Sequence, residues 1–280
     1  MRDLAGKTAF VTGGASGIGR AMGRAFAAAG MNVMLADIEQ DALHKTVAEL
    51  YPTHPTVRGV VCDVTSYQSV EAAAQAAIAA FGKVHVVCNN AGVSSRNAEE
   101  ISLPDWRWVI DVNLMGVVHG VKAFLPHMRA HKEGGHFVNT ASMAGFLPGI
   151  GFSPYTATKF AVLGISEGLA TQLAPDDIRV SVLCPGWVNT NISDSGRNRH
   201  ESYGAVPARE LTEIEKKIAD LVKHGMSPDE VAALVLKAVR ENELYIFTHP
   251  HMRPALEKRV ERFMAAYRKL GPAPQELARS

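Results

Sequence analysis

Cysteine is scarce in this chain: three residues, Cys62, Cys88 and Cys184, among 280. None belongs to a CxxC pair, so a zinc site is not expected. Each thiol lies in or at the end of an apolar run of strand character, where a buried, reduced cysteine is expected. Net charge is nearly absent as well. Lys and Arg number 29 against 28 Asp and Glu, a formal charge of +1. That balance provides no general attraction to nucleic acid or to an acidic membrane. No run of about 18 apolar residues occurs, so no membrane-spanning segment is expected. The opening residues, Met1-Arg2-Asp3-Leu4-Ala5-Gly6, lack the apolar region of a secretory signal, and a cytoplasmic protein is the expectation. Repeats and Pro/Ser-rich linkers are missing too, so residues 1–280 are expected to form one domain.

What is present is a regular alternation. Hydrophobic residues make up 47% of the chain and charged residues 20%, enough for a full core without staples. Short apolar runs at 8–12, 33–36, 57–62, 84–88, 136–140, 180–183 and 244–247 read as strands. Helical patterns fall between them at 17–29, 39–50, 66–81, 103–131 and 153–173, the fourth with a bend expected at Pro126. Near-continuous apolar strands alternating with helices predict an α/β fold, a parallel sheet covered on both faces. The rhythm breaks at 191–225, a polar excursion expected to lie over a site, with a helical second half at 211–222. Ser227, Pro228 and Glu230 then have the spacing of a capping box. Val231, Leu234, Val235, Ala238 and Val239 follow at helical spacing. An amphipathic extension is expected at about 250–270.

The first strand runs into Thr12-Gly13-Gly14-Ala15-Ser16-Gly17-Ile18-Gly19. Glycines at 13, 17 and 19 allow a tight turn and a close backbone approach, and the helix that follows offers N–H groups and a positive dipole end to a pyrophosphate. The spacing is G-x-x-x-G-x-G. Asp37 ends the second strand about 20 residues further on, where a carboxylate accepts hydrogen bonds from an adenosine ribose. Its charge would repel a 2′-phosphate, and neither position 38 nor position 39 carries a base. The cofactor expected is therefore NAD rather than NADP, although Asp37 could equally cap the next helix. Asp63, at the end of the third strand, could meet the adenine amine. Asn89-Asn90-Ala91-Gly92, after the fourth, could line the cofactor or serve only as a turn.

Tyr155 and Lys159 are four residues apart, on one face of a helix. Hydride transfer at an alcohol carbon requires a proton to move at the oxygen. A free phenol, with a pKa of about 10, is too weak a base near neutrality. A neighbouring cation favours the phenolate, and lowering the pKa by two to three units takes roughly 3–4 kcal/mol. Ser142, just past the fifth strand, could bond the reacting oxygen. Asn113, an amide inside an apolar helix, needs a partner. It could hold a water between Lys159 and solvent.

These residues, in this order and at these spacings, resemble the short-chain dehydrogenase/reductase family over nearly the whole chain. Pro185-Gly186-Trp187-Val188-Asn189-Thr190 completes the match. The resemblance implies a single Rossmann-type, doubly wound sheet of seven strands in the order 3-2-1-4-5-6-7. It implies Asn113, Ser142, Tyr155 and Lys159 as catalytic residues, with Lys159 also binding the nicotinamide ribose. Cofactor contacts are expected from Gly13, Ser16, Gly17, Ile18 and Gly19, from Asp37, Ile38, Asp63 and Val64, and from Asn90, Ala91 and Gly92. Tyr155, Lys159, Pro185 and Gly186 join them, and the Val188 backbone and Thr190 hydroxyl are implied to hold the carboxamide. A homodimer or homotetramer is implied as well. The extension past the last strand is longer than in typical members, so a simple carry-over of the family's tetramer contacts is not expected.

Substrate contacts are expected from Ser142, Met143, Phe152, Tyr155 and Trp187, with Phe146 and Leu147 nearby. They favour a hydrophobic secondary alcohol or ketone, aromatic ones included. Asn191-Ile192-Ser193, Tyr203-Gly204, His224-Gly225-Met226 and Leu244-Tyr245-Ile246-Phe247 are similar to bacterial dehydrogenases that oxidise benzylic alcohols of aryl ethers. The alternatives are an NADPH-dependent ketoreductase of biosynthesis and a non-catalytic NAD-binding protein. No metal is expected, because His127/His131 and His249/His251 have no carboxylate at ligand spacing. These histidines read as a solvated surface.

Overall fold

The computed structural model describes residues 1–94, 101–148, 153–204 and 210–270. Along the chain come β1 (Thr8–Thr12), α1 (Gly17–Ala28), β2 (Asn32–Asp37), α2 (Gln40–Leu50), β3 (Val57–Val61), α3 (Tyr67–Phe81) and β4 (Val86–Asn89). Then follow α4 (Leu103–Ile110), α5 (Gly116–His131), β5 (Gly135–Thr140), α6 (Ser153–Leu173) and β6 (Ile178–Cys184). The last elements are α7 (Glu213–Lys223), α8 (Pro228–Glu241), β7 (Tyr245–Phe247) and α9 (Arg253–Arg268). The sheet order is β3-β2-β1-β4-β5-β6-β7, and every pairing is parallel.

Side-chain alternation along each strand decides which helices it meets. Ala9, Val11, Val33, Leu35, Val86 and Cys88 face one core, which they share with Met22 and Phe26 of α1 and Val231 and Val235 of α8. Phe10, Met34, Ala36 and Val87 point the other way, toward Val70 and Ala74 of α3 and Phe124 of α5. Phe10 and Phe124 meet with ring centroids 4.6 Å apart. Both faces are thus dry, as a doubly wound parallel sheet requires.

The helix boundaries follow their caps. Ser66 accepts from the Ser69 N–H at the start of α3. Ser102 with Asp105, Thr212 with Glu215, and Ser227 with Glu230 form reciprocal capping boxes at α4, α7 and α8. The long helix departs from expectation. A wide π turn at Asp111–Met115 interrupts it, and Pro126 lies further on, inside α5. The helical stretch Leu103–His131 is long and apolar enough to cross a bilayer, yet half of its most apolar window is buried in the protein. It is a core helix by that measure.

Two of the histidines expected on a solvated surface, His127 and His131, are only partly exposed and hold backbone. His127 Nε2 accepts from Val84 N at 3.2 Å, His131 Nε2 lies 3.1 Å from Val84 O, and His85 Nδ1 accepts from Thr8 N at 3.1 Å. The lower end of β4 is tied down this way. All three cysteines are buried and free. The chain divides into two compact units, Met1–Thr248 and His249–Ser280. The first carries the sheet. In the second, the described residues form a short turn at Pro250–Met252 and α9.

Candidate active site

Between β1 and α1 the backbone turns through left-handed conformations at Gly13 (φ 65°) and Gly17 (φ 51°), a region that favours glycine. A Cβ on Gly19 would lie 2.0 Å from the Gly13 carbonyl oxygen, and one on Gly13 would lie 3.0 Å from Ala91 Cα. Only glycines let the loop close this tightly. Ser16 precedes α1 without donating or accepting a capping bond, and the first turn, which includes Ile18, has no acidic residue. The amides of that turn and the positive dipole end are therefore left to an anion, and the residues fit a dinucleotide pyrophosphate.

Asp37 closes β2 and is 7% exposed. Its Oδ2 accepts from Ala15 N at 2.9 Å and its Oδ1 from Glu39 N at 3.0 Å. It steadies the glycine turn and the chain entering α2, whose N-cap is Glu39 rather than Asp37, and each oxygen keeps a lone pair for a ribose hydroxyl. Burial pushes its pKa up, opposed by those two N–H donors. Ile38 beside it is exposed. Asp63 Oδ1 accepts from Thr65 N and Thr65 Oγ1 at 2.9 and 2.8 Å, and Val64 O lies 2.9 Å from His119 Nδ1.

Thr12 is a site residue that sequence reasoning missed. Its Oγ1 accepts from Asn90 N at 2.9 Å and Ala91 N at 3.0 Å, and lies 3.3 Å from Cys88 O. One hydroxyl thereby locks the β4 loop onto the glycine turn, and Asn90 Nδ2 adds a bond to Thr12 O at 2.9 Å. A threonine ending the strand just before the glycines was the available signal. Gly92 continues the loop past Lys159: a Cβ there would lie 3.6 Å from Nζ.

Asn113 sits in the π turn, 1% exposed. Its side-chain amide is committed to backbone, mainly that of Val93. Oδ1 accepts from Val93 N at 2.8 Å and Nδ2 donates to Val93 O at 3.0 Å, with a longer contact to Thr158 Oγ1 at 3.4 Å. The side chain pairs with the extended β4 loop as a strand would. Its buried position in a widened turn is the reason.

Ser142 follows β5 and hydrogen-bonds the Tyr155 hydroxyl from α6. Its Oγ also accepts from Ala144 N at 3.1 Å and lies 3.3 Å from Pro185 O. Lys159, one turn along α6 from Tyr155, is 2% exposed. Its Nζ donates to Thr140 O at 2.8 Å and lies 5.4 Å from the Tyr155 ring centroid. Burial pushes Tyr155 up, with the Ser142 hydrogen bond opposing it, and pushes Lys159 down to about 8. The largest influence on each is thus desolvation, where the sequence reading had only the attraction between them.

From Pro185 the chain turns over the ends of the strands. Gly186 N donates to Thr248 Oγ1 at 3.3 Å. Val188 pairs with Met226 in an isolated parallel bridge, and Trp187 O accepts from Met226 N at 2.9 Å. A Cβ on Gly17 would lie 3.0 Å from Thr190 Cγ2, so Thr190 meets the glycine turn. Further on, Ser195 Oγ accepts from Ser94 N at 2.9 Å, and Arg197 and Asn198 bond Glu39. The stretch 190–198 thus touches the loops after β1, β4 and β2 in turn. Sequence reasoning missed Ser195, Arg197 and Glu39, since no local signal links positions so far apart. Met143 is buried and Trp187 half-buried. Phe146 packs on β7, 5.4 Å from the Phe247 ring and 6.3 Å from the Tyr245 ring. Phe152 lies outside the described residues. Among the described residues no group of three or more His, Cys, Asp or Glu has the arrangement of a metal site.

Residues 7–201 match the sequence profile of the short chain dehydrogenase family. The chain is 35% identical over 263 residues to a C alpha-dehydrogenase of Sphingobium sp. (strain NBRC 103272 / SYK-6), covering 93% of this chain and 86% of that one. It is 34% identical over 273 residues to a 1-deoxy-11-beta-hydroxypentalenate dehydrogenase of Streptomyces exfoliatus, covering 96% and 93%. A short chain dehydrogenase/reductase from Burkholderia phymatum, solved in complex with NAD, superposes with a TM-score of 0.91 at 39% identity, covering 95% of this chain and 97% of that one. Fold, site geometry and relatives agree: this chain belongs to the short-chain dehydrogenase/reductase family and is an oxidoreductase of alcohol and ketone substrates.

Proposed function

We propose that this chain interconverts a hydrophobic secondary alcohol, aromatic ones included, and its ketone, using NAD(H), with Tyr155 as the general acid/base. The convergence of Ser142, Tyr155 and Lys159 beside the glycine turn carries the reading. A nicotinamide dinucleotide bound at that turn supplies the hydride acceptor or donor. Tyr155 Oη takes the proton from the alcohol O–H, or returns it to the carbonyl oxygen. The Ser142 hydroxyl, already within hydrogen-bond reach of Tyr155, orients the reacting oxygen. Lys159 Nζ, aligned by Thr140 O, stabilises a phenolate electrostatically. Low dielectric around both groups strengthens that attraction when both are charged.

The preference for NAD rests on Asp37, whose buried carboxylate at the end of β2 opposes a 2′-phosphate. The Burkholderia neighbour's complex with NAD supports it. The Sphingobium relative, a C alpha-dehydrogenase, supports an alcohol substrate. Met143, the residue after Ser142, and Trp187 are the apolar side chains this reading assigns to the substrate. A cytoplasmic homodimer or homotetramer belongs to the same proposal.

The test pairs turnover with binding. Tyr155→Phe is expected to lower kcat by about a thousandfold, within the 10²–10⁴ range for general acid–base catalysis. NADH affinity, read by nicotinamide fluorescence, should change less than about threefold. Wild-type protein should bind NADH more tightly than NADPH in the same titration. Retained turnover in the variant would overturn the role of Tyr155, and tighter NADPH binding would overturn the cofactor assignment.

A further inference from the structure

Positions 38 and 39 hold no base, which is the local argument for NAD. The fold nevertheless delivers a guanidinium to that place from much later in the chain. Arg197 Nη2 donates to Glu39 Oε1 at 2.5 Å and Arg197 Nε to Glu39 Oε2 at 3.2 Å, a two-point pairing. Asn198 Nδ2 adds a bond to Glu39 Oε1 at 2.8 Å. Glu39 in turn gives its backbone N–H to Asp37 Oδ1 at 3.0 Å, so the pair stands beside the ribose carboxylate. The Asp37 charge adds to the field that holds Arg197 protonated.

The guanidinium does not depend on Glu39 alone for its position. Its Nη1 donates to Asp194 O at 2.8 Å and to Asn191 O at 3.3 Å, and the Asp194 carboxylate lies 3.9 Å away. Two backbone carbonyls would keep it in place without the Glu39 charge. A guanidinium fork matches a phosphate as well as it matches a carboxylate. Arg197 has the chemistry of a 2′-phosphate ligand, and Glu39 occupies its fork.

We propose that Glu39 is a cofactor-specificity determinant: by pairing with Arg197 at two points it masks a latent 2′-phosphate site. Discrimination against a phosphorylated adenosine ribose then comes from two carboxylates, Asp37 by repulsion and Glu39 by occupying the cation. The inference rests on the NAD reading above. It differs from a plain charge effect because it requires Arg197.

Glu39→Gln keeps the shape and one acceptor and removes the charge. Direct titrations with NADH and NADPH, followed by nicotinamide fluorescence, would measure the ratio of the two dissociation constants. The ratio Kd(NADPH)/Kd(NADH) is expected to fall about tenfold in Glu39→Gln. In Glu39→Gln/Arg197→Gln it should return to near the wild-type value. Adenosine 2′,5′-diphosphate, as a competitor of NADH, should show the same gain and the same reversal. Circular dichroism melts check folding, and Glu39→Ala repeats the test if the glutamine variant folds poorly. An unchanged ratio in the single variants, with wild type still preferring NADH, overturns the mask alone. A gain that survives Arg197→Gln also overturns it, because simple charge removal then accounts for the shift. A wild-type preference for NADPH overturns the NAD reading, and the mask falls with it.

Discussion

Asn113 commits its whole side-chain amide to one residue, accepting from Val93 N and donating to Val93 O. Asn113→Ala leaves both buried backbone groups without that partner. The expected loss is about 1–3 kcal/mol of stability for unsatisfied buried polar groups, read as a lower urea midpoint. An unchanged midpoint would mean that Val93 finds other partners. The same arithmetic explains why an amide inside an apolar helix could be flagged from sequence while its partner could not. A buried Asn must be satisfied, but nothing local says by what. Tyr155 and Lys159 show the same limit. Their spacing on one helix face was legible, whereas the burial that drives Tyr155 up and Lys159 to about 8 depends on β5, β6 and the loops around them.

At the scale of elements, the loop between β1 and α1 is the part most completely written in local sequence. Each of its glycines answers a contact or a dihedral angle. A Cβ at Gly19 would lie 2.0 Å from Gly13 O, so Gly19→Ala forces the turn open. NADH affinity is expected to fall at least about tenfold, since the amides that receive the pyrophosphate lose their alignment. A titration showing unchanged affinity would remove the turn from the binding site. Strand and helix positions were legible to within a few residues because apolar period and capping boxes are local signals. The π turn at Asp111–Met115 was not. Proline marks a helix break locally, whereas a widened turn is selected by the tertiary contact that Asn113 makes.

For the whole molecule, the neutral histidines set the response to acid. His85, His127 and His136 all have pKa values lowered chiefly by burial, His136 to about 3. His85 faces Glu133, His131 and Lys7, and Glu133 also pairs with Lys83. Below an unfolded value of about 6.5 the unfolded chain binds more protons at these histidines than the folded one does. Their contribution is therefore present above pH 6.5 and is lost as pH falls toward the folded values. Glu133, held down to about 2 by Lys83 and His85, adds a loss of the same sign below its unfolded value. Tm should decline steadily from pH 6.5 to pH 4, and His136→Asn should flatten the slope. A Tm independent of pH over that window would contradict the assignment.

Sequence by itself determined the alternation of strands and helices, the glycine turn, the carboxylate at the end of β2 and the Tyr155/Lys159 face. All are short-range facts, readable from period, spacing and backbone demand. Only the tertiary structure decided which hydroxyl, Thr12, locks the β4 loop, where the Asn113 amide goes, and that Arg197 meets Glu39. The physical reason is distance along the chain. Arg197 and Glu39 are separated by 158 positions, and no local pattern encodes a contact that exists only because a parallel sheet gathers all its strand ends on one side.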